Sequence, residues 1–271
     1  MESYVQVTIE ATDPTLHEIL VALLSEAGYE GFEEERSVLK AFISQPAFDA
    51  EQLHALLEPR QLVAAVDVIA PQNWNARWES GFSPVEVPGF CVVRADFHTL
   101  PANTRYDLVI TPKMSFGTGH HATTFQMLEA MQGLDFNNKT VLDFGTGTGV
   151  LAILAEKMGA QSVLAIDNDD WSIENAAENI GLNHCQKISL EKADQLPSGK
   201  AFDIILANIN RNVILANLAG LERCLQPGGL LIISGLLQGD APALEKAIQS
   251  TALSLTNKKE KESWLCWTLK A

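Results

Sequence analysis

Residues 140–149 read TVLDFGTGTG, and this stretch decides the fold of the chain. Apolar residues lead into Asp143, glycines stand at positions 145, 147 and 149, and an apolar helical pattern begins at Val150. This order predicts a buried strand, a tight turn and a helix. Glycine permits positive φ and a close approach to the main chain, and the N–H groups of the first helical turn lack partners within the helix. We therefore expect a small molecule to bind at this turn.

The residues around the turn separate two kinds of cofactor. A dinucleotide-binding turn of the form G-x-G-x-x-G needs a third glycine at position 150, where this chain has Val150. Asp167, at the end of the next apolar run SVLAID, can bind ribose hydroxyls in either case. Asp143 would repel a pyrophosphate but not a cationic ligand without phosphate, such as S-adenosylmethionine. A glycine turn without any ligand is the remaining alternative.

The chain is strongly acidic, and its charge is uneven. Its 271 residues carry a formal net charge of -15, and 46% of them are hydrophobic, which is ample for a packed core. Residues 1–70 hold three basic residues against thirteen acidic ones. Because nucleic-acid binding requires a basic face, we expect no direct contact with nucleic acid. An acidic surface suits a basic protein partner, although it can also serve solubility alone.

Other features of the sequence bear on the environment of the protein. The four cysteines are far apart and lack C-x-x-C spacing, which indicates free thiols in a reducing cytosol. No signal peptide is recognisable, and no apolar run approaches the roughly 18 residues of a membrane-spanning helix. His120 and His121 lack a third ligand at suitable spacing, so we expect no metal site. We expect a cytoplasmic monomer without membrane contact.

The first part of the chain predicts a separate domain. Residues 1–70 read as βαββαβ, with Asp13 as the cap of the first helix, and this order is typical of a ferredoxin-like α+β module. Residues 71–89 read as a linker that carries Trp74 and Trp78 on one helical face. These tryptophans either pack between two domains or form an aromatic wall near an active site.

Residues 90–271 form the larger predicted domain. Alternating apolar strands and helices predict a parallel, doubly wound, Rossmann-like α/β sheet. A second glycine loop, FGTGHH, precedes a helix for which Thr123 or Thr124 is the predicted N-cap. The last two strands read as an antiparallel hairpin at the edge of the sheet, with a charged tip at residues 258–262.

Four motifs fall at the carboxyl ends of the predicted strands, where doubly wound sheets bind ligands. The pattern of two apolar residues, Asp, apolar residue and G-x-G-x-G resembles the first motif of class I methyltransferases. Asp167 can accept hydrogen bonds from both ribose hydroxyls, and Asp194 can accept one from the adenine amino group or be a solvated loop acid. Asn208 can accept a hydrogen bond from an amine and direct its lone pair at the methyl carbon. The candidate cofactor contacts are Asp143, Gly145, Gly147, Gly149, Asp167, Asp194 and Asn208.

Taken together, the motifs resemble those of the PrmA family. FGTGHHATT, DFGTGTGVLAI, AIDND, ANIN, NWNARW and the acidic first module extend the resemblance over essentially all 271 residues. Members of this family methylate large-subunit ribosomal protein eleven. The resemblance implies that the first module recognises this basic protein and that the F-G-T-G loop closes over the cofactor. It also implies a set of residues that bind S-adenosylmethionine, namely Thr124, Gly145, Asp167 and Asn208.

Some residues depart from the family pattern. Ala122 replaces a common proline after the histidines, and Asn210 replaces a leucine after Asn-Ile. The Asn-Pro-Pro-Tyr-like motif of amine methyltransferases is only partly matched, because Asn208-Ile209-Asn210-Arg211 lacks the aromatic residue. These departures concern the choice of substrate and the degree of methylation more than the use of the cofactor.

The predicted reaction is methyl transfer to amines, with Asn208 as the catalytic residue and no assigned general base. The amines would be lysine side chains, the N-terminal amine or both. His121 and Trp78 are candidates only for shaping the site. Three other functions are open: a non-catalytic S-adenosylmethionine-binding module, a methyltransferase for another protein or a small amine, and a nicotinamide-dependent dehydrogenase.

Overall fold

The computed structural model describes residues 3–11, 14–35, 37–69, 83–101, 104–111, 113 and 115–271. Asp13, Trp74 and Trp78, on which parts of the sequence interpretation depend, lie outside these residues. Contacts within the chain divide it into two compact units, Met1–Phe82 and Ser83–Ala271. Each unit has a hydrophobic core of its own.

The first unit is a four-stranded antiparallel sheet with two helices. Its elements are β1 (Tyr4–Glu10), α1 (Pro14–Glu26), β2 (Gly31–Glu35), β3 (Val38–Ser44), α2 (Ala50–Leu57) and β4 (Ala64–Ile69). The strands lie in the order β2-β3-β1-β4. Alternate residues of β1 and β3 are buried, so one face of the sheet packs against the apolar sides of α1 and α2. The Asp49 carboxylate caps α2 by accepting the N–H groups of Glu51 and Gln52.

The second unit begins with a small three-stranded sheet. β5 (Val85–Val87) pairs antiparallel with β6 (Cys91–Arg94), and β6 pairs parallel with β7 (Tyr106–Val109). The sequence had indicated a linker over residues 71–89, which include β5. Three residues with a single buried side chain carry too little periodicity to reveal a strand.

A seven-stranded mixed sheet follows in the second unit. Its strands are β8 (Thr140–Phe144), β9 (Ser162–Asp167), β10 (Ile188–Lys192), β11 (Phe202–Asn208), β12 (Leu225–Leu237), β13 (Ser254–Lys261) and β14 (Trp264–Lys270). They lie in the order β10-β9-β8-β11-β12-β14-β13, and β8 to β12 are parallel. β14 pairs antiparallel with both β12 and β13. The strand order reverses between β8 and β11, and ligands bind at such reversals.

Helices cover both faces of this sheet. They are α3 (Ala122–Gln132), α4 (Val150–Lys157), α5 (Asp170–Leu182), α6 (Arg211–Arg223) and α7 (Ala241–Ile248). Val141 of β8 belongs to a core cluster with α3 and α4, whereas its neighbour Leu142 belongs to a second cluster with α6 and α7. Burial on both faces explains the nearly continuous apolar sequence of the central strands. Throughout the described residues, every helix is too short or too polar to cross a membrane.

The C-terminal hairpin differs from its predicted form. β13 extends to Lys261, so most of the expected charged tip at residues 258–262 belongs to a strand. The turn consists of Glu262 and Ser263, whose φ angles are 52° and 66°. β13 is the edge strand of the sheet, where lysines and glutamates are readily solvated. The charge of this segment was therefore a poor marker of the turn.

Candidate active site

A cavity of about 490 Å³ opens in the second unit, where β8 and β11 end and the strand order reverses. This volume is within the range of roughly 300–1,000 Å³ that is usual for small-molecule sites. Five of the eight predicted cofactor contacts line it, namely Gly145, Gly147, Asp167, Asp194 and Asn208, and so does His121, which is predicted only to shape the site. Three other predicted residues, Thr124, Asp143 and Gly149, do not line it.

The glycine turn between β8 and α4 leaves no room for side chains at two positions. A Cβ on Gly145 would overlap the Ile209 side chain, and a Cβ on Gly147 would overlap the Phe116 carbonyl. Both glycines also have positive φ, 78° and 55°. The turn is therefore packed between two other parts of the cavity wall, in addition to lining the cavity.

Asp167, at the end of β9, is fixed by hydrogen bonds on both of its carboxylate oxygens. Oδ2 accepts the N–H of Gly147 at 2.9 Å, and Oδ1 accepts the N–H of Asp169 at 3.1 Å. Each carboxylate oxygen can accept more than one hydrogen bond. The side chain can thus hold the glycine turn and still bind two hydroxyl groups of a ligand in the cavity.

Asp143 is located differently from its prediction. The sequence placed its carboxylate beside a cationic ligand, but the residue has no exposed surface and lies outside the cavity wall. Its Oδ2 accepts hydrogen bonds from Thr146 Oγ1 at 2.6 Å and from the N–H of Ala152 at 3.2 Å. Burial raises the pKa of Asp143 to about 7, against the effect of these hydrogen bonds. Through these hydrogen bonds, the buried Asp143 carboxylate fixes the glycine turn and the start of α4.

Asn208 ends β11 and contributes an amide to the cavity wall. Its Nδ2 donates to Thr124 Oγ1 at 3.2 Å, and Oδ1 is buried without a partner among the described residues. Thr124, on α3, is 1% exposed and contacts Asn208 from behind the wall. The resemblance implied that Thr124 binds the cofactor directly, whereas this structure connects it to the site through Asn208.

The start of α3 corrects another prediction. Its N-cap is His121, whose Nδ1 accepts the N–H of Thr123 at 3.3 Å, whereas Thr123 and Thr124 lie inside the helix. The His121 ring makes edge contacts with Phe116 and Trp264, with centroids 5.1 and 4.8 Å apart. All three aromatic side chains line the cavity. We refer to Phe116, His121 and Trp264 as the aromatic wall.

Several cavity residues were missed in the sequence. Phe116 and Ile209 are apolar members of the motifs FGTG and ANIN, and their place inside these motifs is the signal that could identify them. Gly235 lies at an irregularity in the pairing of β12 with β14, which no local pattern predicts. Trp264 carries no sequence signal either, because only the pairing of β14 with β12 brings the hairpin to the cavity.

The cavity suits a cationic ligand without phosphate. Two carboxylates, Asp167 and Asp194, line it, and none of the described residues in its wall is a lysine or arginine that could neutralise a pyrophosphate. Nowhere in the described residues do three or more His, Cys, Asp or Glu side chains form a group that could hold a metal ion. The glycine turn, the fixed Asp167 and the Asn208 oxygen, which has no partner among the described residues, fit S-adenosylmethionine. Fold and site together define a class I methyltransferase.

Comparison with known proteins identifies the family. Residues 4–271 match the family model for ribosomal protein L11 methyltransferase (PrmA). The ribosomal protein L11 methyltransferase of Porphyromonas gingivalis is 40% identical to this chain. The alignment covers 94% of this chain and 91% of the relative. The one from Phocaeicola vulgatus is 37% identical, covering 96% of both. This chain therefore belongs to the PrmA family.

A solved structure supports the same assignment. The crystal structure of ribosomal protein L11 methylase from Lactobacillus delbrueckii subsp. bulgaricus is 29% identical and has a TM-score of 0.64. The match covers 69% of this chain and 98% of that chain. Membership of the family confirms the predicted α/β methyltransferase fold and the predicted use of S-adenosylmethionine. The alternative of a nicotinamide-dependent dehydrogenase is thereby removed.

Proposed function

We propose that this protein transfers methyl groups from S-adenosylmethionine to amino groups of ribosomal protein L11, on lysine side chains, the N-terminal amine or both. The observation that carries the proposal is the Asn208 side chain in the cavity wall, whose Oδ1 has no hydrogen-bond partner among the described residues. An acceptor there can take one N–H of an amine and leave its lone pair free for the methyl group. The substrate is the one named for relatives that match nearly the whole chain.

The cofactor would be held by residues on three strand ends. The glycine turn after β8 would lie against its backbone, and the Asp167 carboxylate would accept both ribose hydroxyls in charge-assisted hydrogen bonds of about 1.5 to 3 kcal/mol each. Asp194, which lines the cavity after β10, would accept the adenine amino group. S-adenosylmethionine supplies a sulfonium methyl, so that a C–N bond forms as the S–C bond breaks and the electron pair stays on sulfur.

The amine must lose a proton before it can attack. Deprotonating a lysine with a pKa near 10.4 at pH 7 costs about 4 to 5 kcal/mol, and an α-amine near pKa 8 costs about 1 kcal/mol. Alignment of the amine by Asn208 can return about 7 to 11 kcal/mol through positioning. A dedicated general base is therefore not required, and the proton can leave to solvent. The aromatic wall would provide a weakly cation-attracting surface for the incoming ammonium.

The first unit would recognise the ribosomal protein. Its strand order β2-β3-β1-β4 and its βαββαβ sequence of elements support a ferredoxin-like module. Its strong excess of acidic residues suits a ribosomal protein that is basic because it binds RNA. We also propose that the protein acts as a monomer and makes no direct contact with nucleic acid.

Mass spectrometry of ribosomal protein L11 tests the proposed function. The substrate should come from a methylation-deficient source and be analysed before and after incubation with the enzyme and S-adenosylmethionine. We expect mass increases in steps of one methyl group, each located to an amine by fragmentation. Cofactor binding without any transfer would instead favour the non-catalytic module.

Asp167→Ala is the matched inactive variant for this experiment. Losing two charge-assisted hydrogen bonds should weaken S-adenosylhomocysteine binding at least about a hundredfold. Asp170→Ala is the control, because this carboxylate is exposed, pairs with Lys192 and does not line the cavity. If Asp167→Ala bound the product as tightly as the wild type in calorimetry, the assignment of the ribose site would be wrong.

A further inference from the structure

Thr148, between Gly147 and Gly149 of the glycine turn, forms hydrogen bonds with its backbone N–H, its carbonyl and its hydroxyl group. The N–H of Thr148 donates to the Phe116 carbonyl at 2.9 Å, and Oγ1 donates to the Gly117 carbonyl at 2.8 Å. Its own carbonyl accepts Nδ2 of Asn179, on α5, at 2.8 Å. Thr148 has no exposed surface and does not line the cavity. It joins the glycine turn to α5 on one side and to the Phe116 backbone on the other.

Phe116 depends on this connection for its position. The ring lines the cavity but is 50% exposed, so packing restrains it only in part. Its one ring contact among the described aromatic pairs is the edge contact with His121. The carbonyls of Phe116 and Gly117 each accept a hydrogen bond from Thr148. Neither carbonyl has another hydrogen-bond donor among the described residues. The position from which the ring extends into the cavity wall therefore depends on the backbone that Thr148 fixes.

From this geometry we infer that Thr148 is a positioning residue for the cofactor site and acts through Phe116. Thr148 occupies the second x position of the G-x-G-x-G motif. In this chain the position requires a hydroxyl group, which donates a hydrogen bond to the Gly117 carbonyl in the preceding glycine loop. Space supports the same requirement, because a Cβ on Gly117 would come within 2.6 Å of Thr148 Oγ1. Valine has the shape of threonine but cannot donate, so Thr148→Val removes this hydrogen bond with little change in volume.

The test is a double-mutant cycle between Thr148→Val and Phe116→Ala, with the dissociation constant of S-adenosylhomocysteine as the readout. Each single variant should raise this constant about tenfold. The double variant should be no weaker than Phe116→Ala alone, because Thr148 acts through the ring. Effects that multiply, or an unchanged constant for Thr148→Val, would overturn the inference.

Three further variants make the result specific. Thr148→Ser retains the hydroxyl and should restore binding to within about twofold of the wild type. Thr251→Val loses the same kind of bond, from Oγ1 to the Ile248 carbonyl at the end of α7, and should not change binding. If Thr148→Val failed to fold, Gly117→Ala would displace the same hydrogen bond and should raise the constant in the same way.

Kinetics separate positioning from a general structural defect. Thr148→Val should raise KM for S-adenosylmethionine about tenfold while kcat at saturating cofactor changes less than about threefold. A fall in kcat with unchanged KM would contradict the assignment. The inference depends on the cofactor of the proposed function and not on its substrate. Product binding in the absence of ribosomal protein therefore tests it, even if no methyl group were transferred to ribosomal protein L11.

Discussion

Asp143 shows how a residue of a binding motif can act from inside the core. Its carboxylate is fully buried under the glycine turn and accepts hydrogen bonds from Thr146 and Ala152. Oδ1 has no partner among the described residues. Desolvation by burial raises the pKa of the folded state from 3.8 to about 7, and the nearby Asp167 carboxylate adds to the shift. The charged form of Asp143 is thus destabilising in the folded protein.

The stability of the wild type relative to Asp143→Asn should decrease with pH. Between pH 4 and 7 the unfolded carboxyl is already ionised while the folded one still holds its proton, so ionisation favours unfolding over that window. The difference in unfolding free energy should fall by up to about 4 kcal/mol and then stay constant above pH 7. Denaturant titrations of both proteins at pH 5, 6 and 8 measure it. A difference that is independent of pH would contradict the buried ionisation.

The importance of Gly235 is steric. Its φ is 95°, and a Cβ would overlap the backbone of Ile209, directly after Asn208. Gly235→Ala should therefore displace Asn208 and lower kcat at least about tenfold, since shifts of about 1 Å at a reacting centre are costly. Gly239→Ala is the control, because no atom lies within 4 Å of the added Cβ. Equal kcat values for the two variants would refute this role of Gly235.

At the scale of elements, Asn179 of α5 and its C-cap residue Asn183 replace a strand neighbour for the end of β7 and the residues that follow it. Asn183 Oδ1 accepts the N–H of Val109 at 3.0 Å, and its Nδ2 donates to the Val109 carbonyl at 2.6 Å. One turn earlier, Asn179 Oδ1 accepts the N–H of Thr111 at 2.9 Å. Spacing of four residues puts both side chains on one helical face. A helix thereby satisfies the backbone groups of a strand end that has no further strand beside it among the described residues.

Asn183→Ala should destabilise the second unit by about 2 to 4 kcal/mol. The variant leaves the N–H and the carbonyl of Val109 without their partner. Each such group costs about 1 to 3 kcal/mol when fully buried, and the cost stays below the upper end here because Val109 is only partly buried. Asn212→Ala, on the exposed side of α6, should change stability by less than about 0.5 kcal/mol. Equilibrium unfolding in urea compares the two variants. A loss below about 1 kcal/mol for Asn183→Ala would mean that water replaces the side chain.

At the scale of the whole molecule, the two units have separate cores and different charge. All described residues of the cavity wall belong to Ser83–Ala271. The acidic excess is concentrated in the other unit, and none of the described residues of that unit belongs to the cavity wall. Cofactor binding and recognition of a basic protein should therefore be separable.

Deleting residues 1–82 tests this division. The remaining unit contains both core clusters of the large sheet, and its affinity for S-adenosylhomocysteine should stay within about twofold of the full chain. Transfer to ribosomal protein L11 should be lost, because the proposed recognition unit is missing. Calorimetry and mass spectrometry measure the two outcomes on the same preparation. A folded truncated protein that no longer binds the product, or one that methylates ribosomal protein L11 at full rate, would contradict the division.

Local sequence patterns were sufficient to predict the site residues that lie at the end of a strand or in the turn that directly follows it. The alternation of strand, glycine turn and helix located Gly145 and Gly147, and the ends of β9 and β11 located Asp167 and Asn208 in the cavity wall. In a parallel sheet the carboxyl ends of the strands share one edge, so these residues meet without further information. The family resemblance rested on the same local motifs, and it proved correct.

Only the tertiary structure determines which further residues line the cavity and which are buried behind the cavity wall. Trp264 reaches the cavity because β14 pairs with β12, and Gly235 matters because Ile209 packs against it. Asp143 is a motif residue, yet it is buried below the turn, and Thr124 contacts Asn208 from behind. Strand pairing and burial join residues that are distant in the chain, whereas the periodicity of a sequence reports only on neighbours within one element. The sequence by itself therefore determined the glycine turn and the family, and the packing of the second unit determined the shape of the cavity.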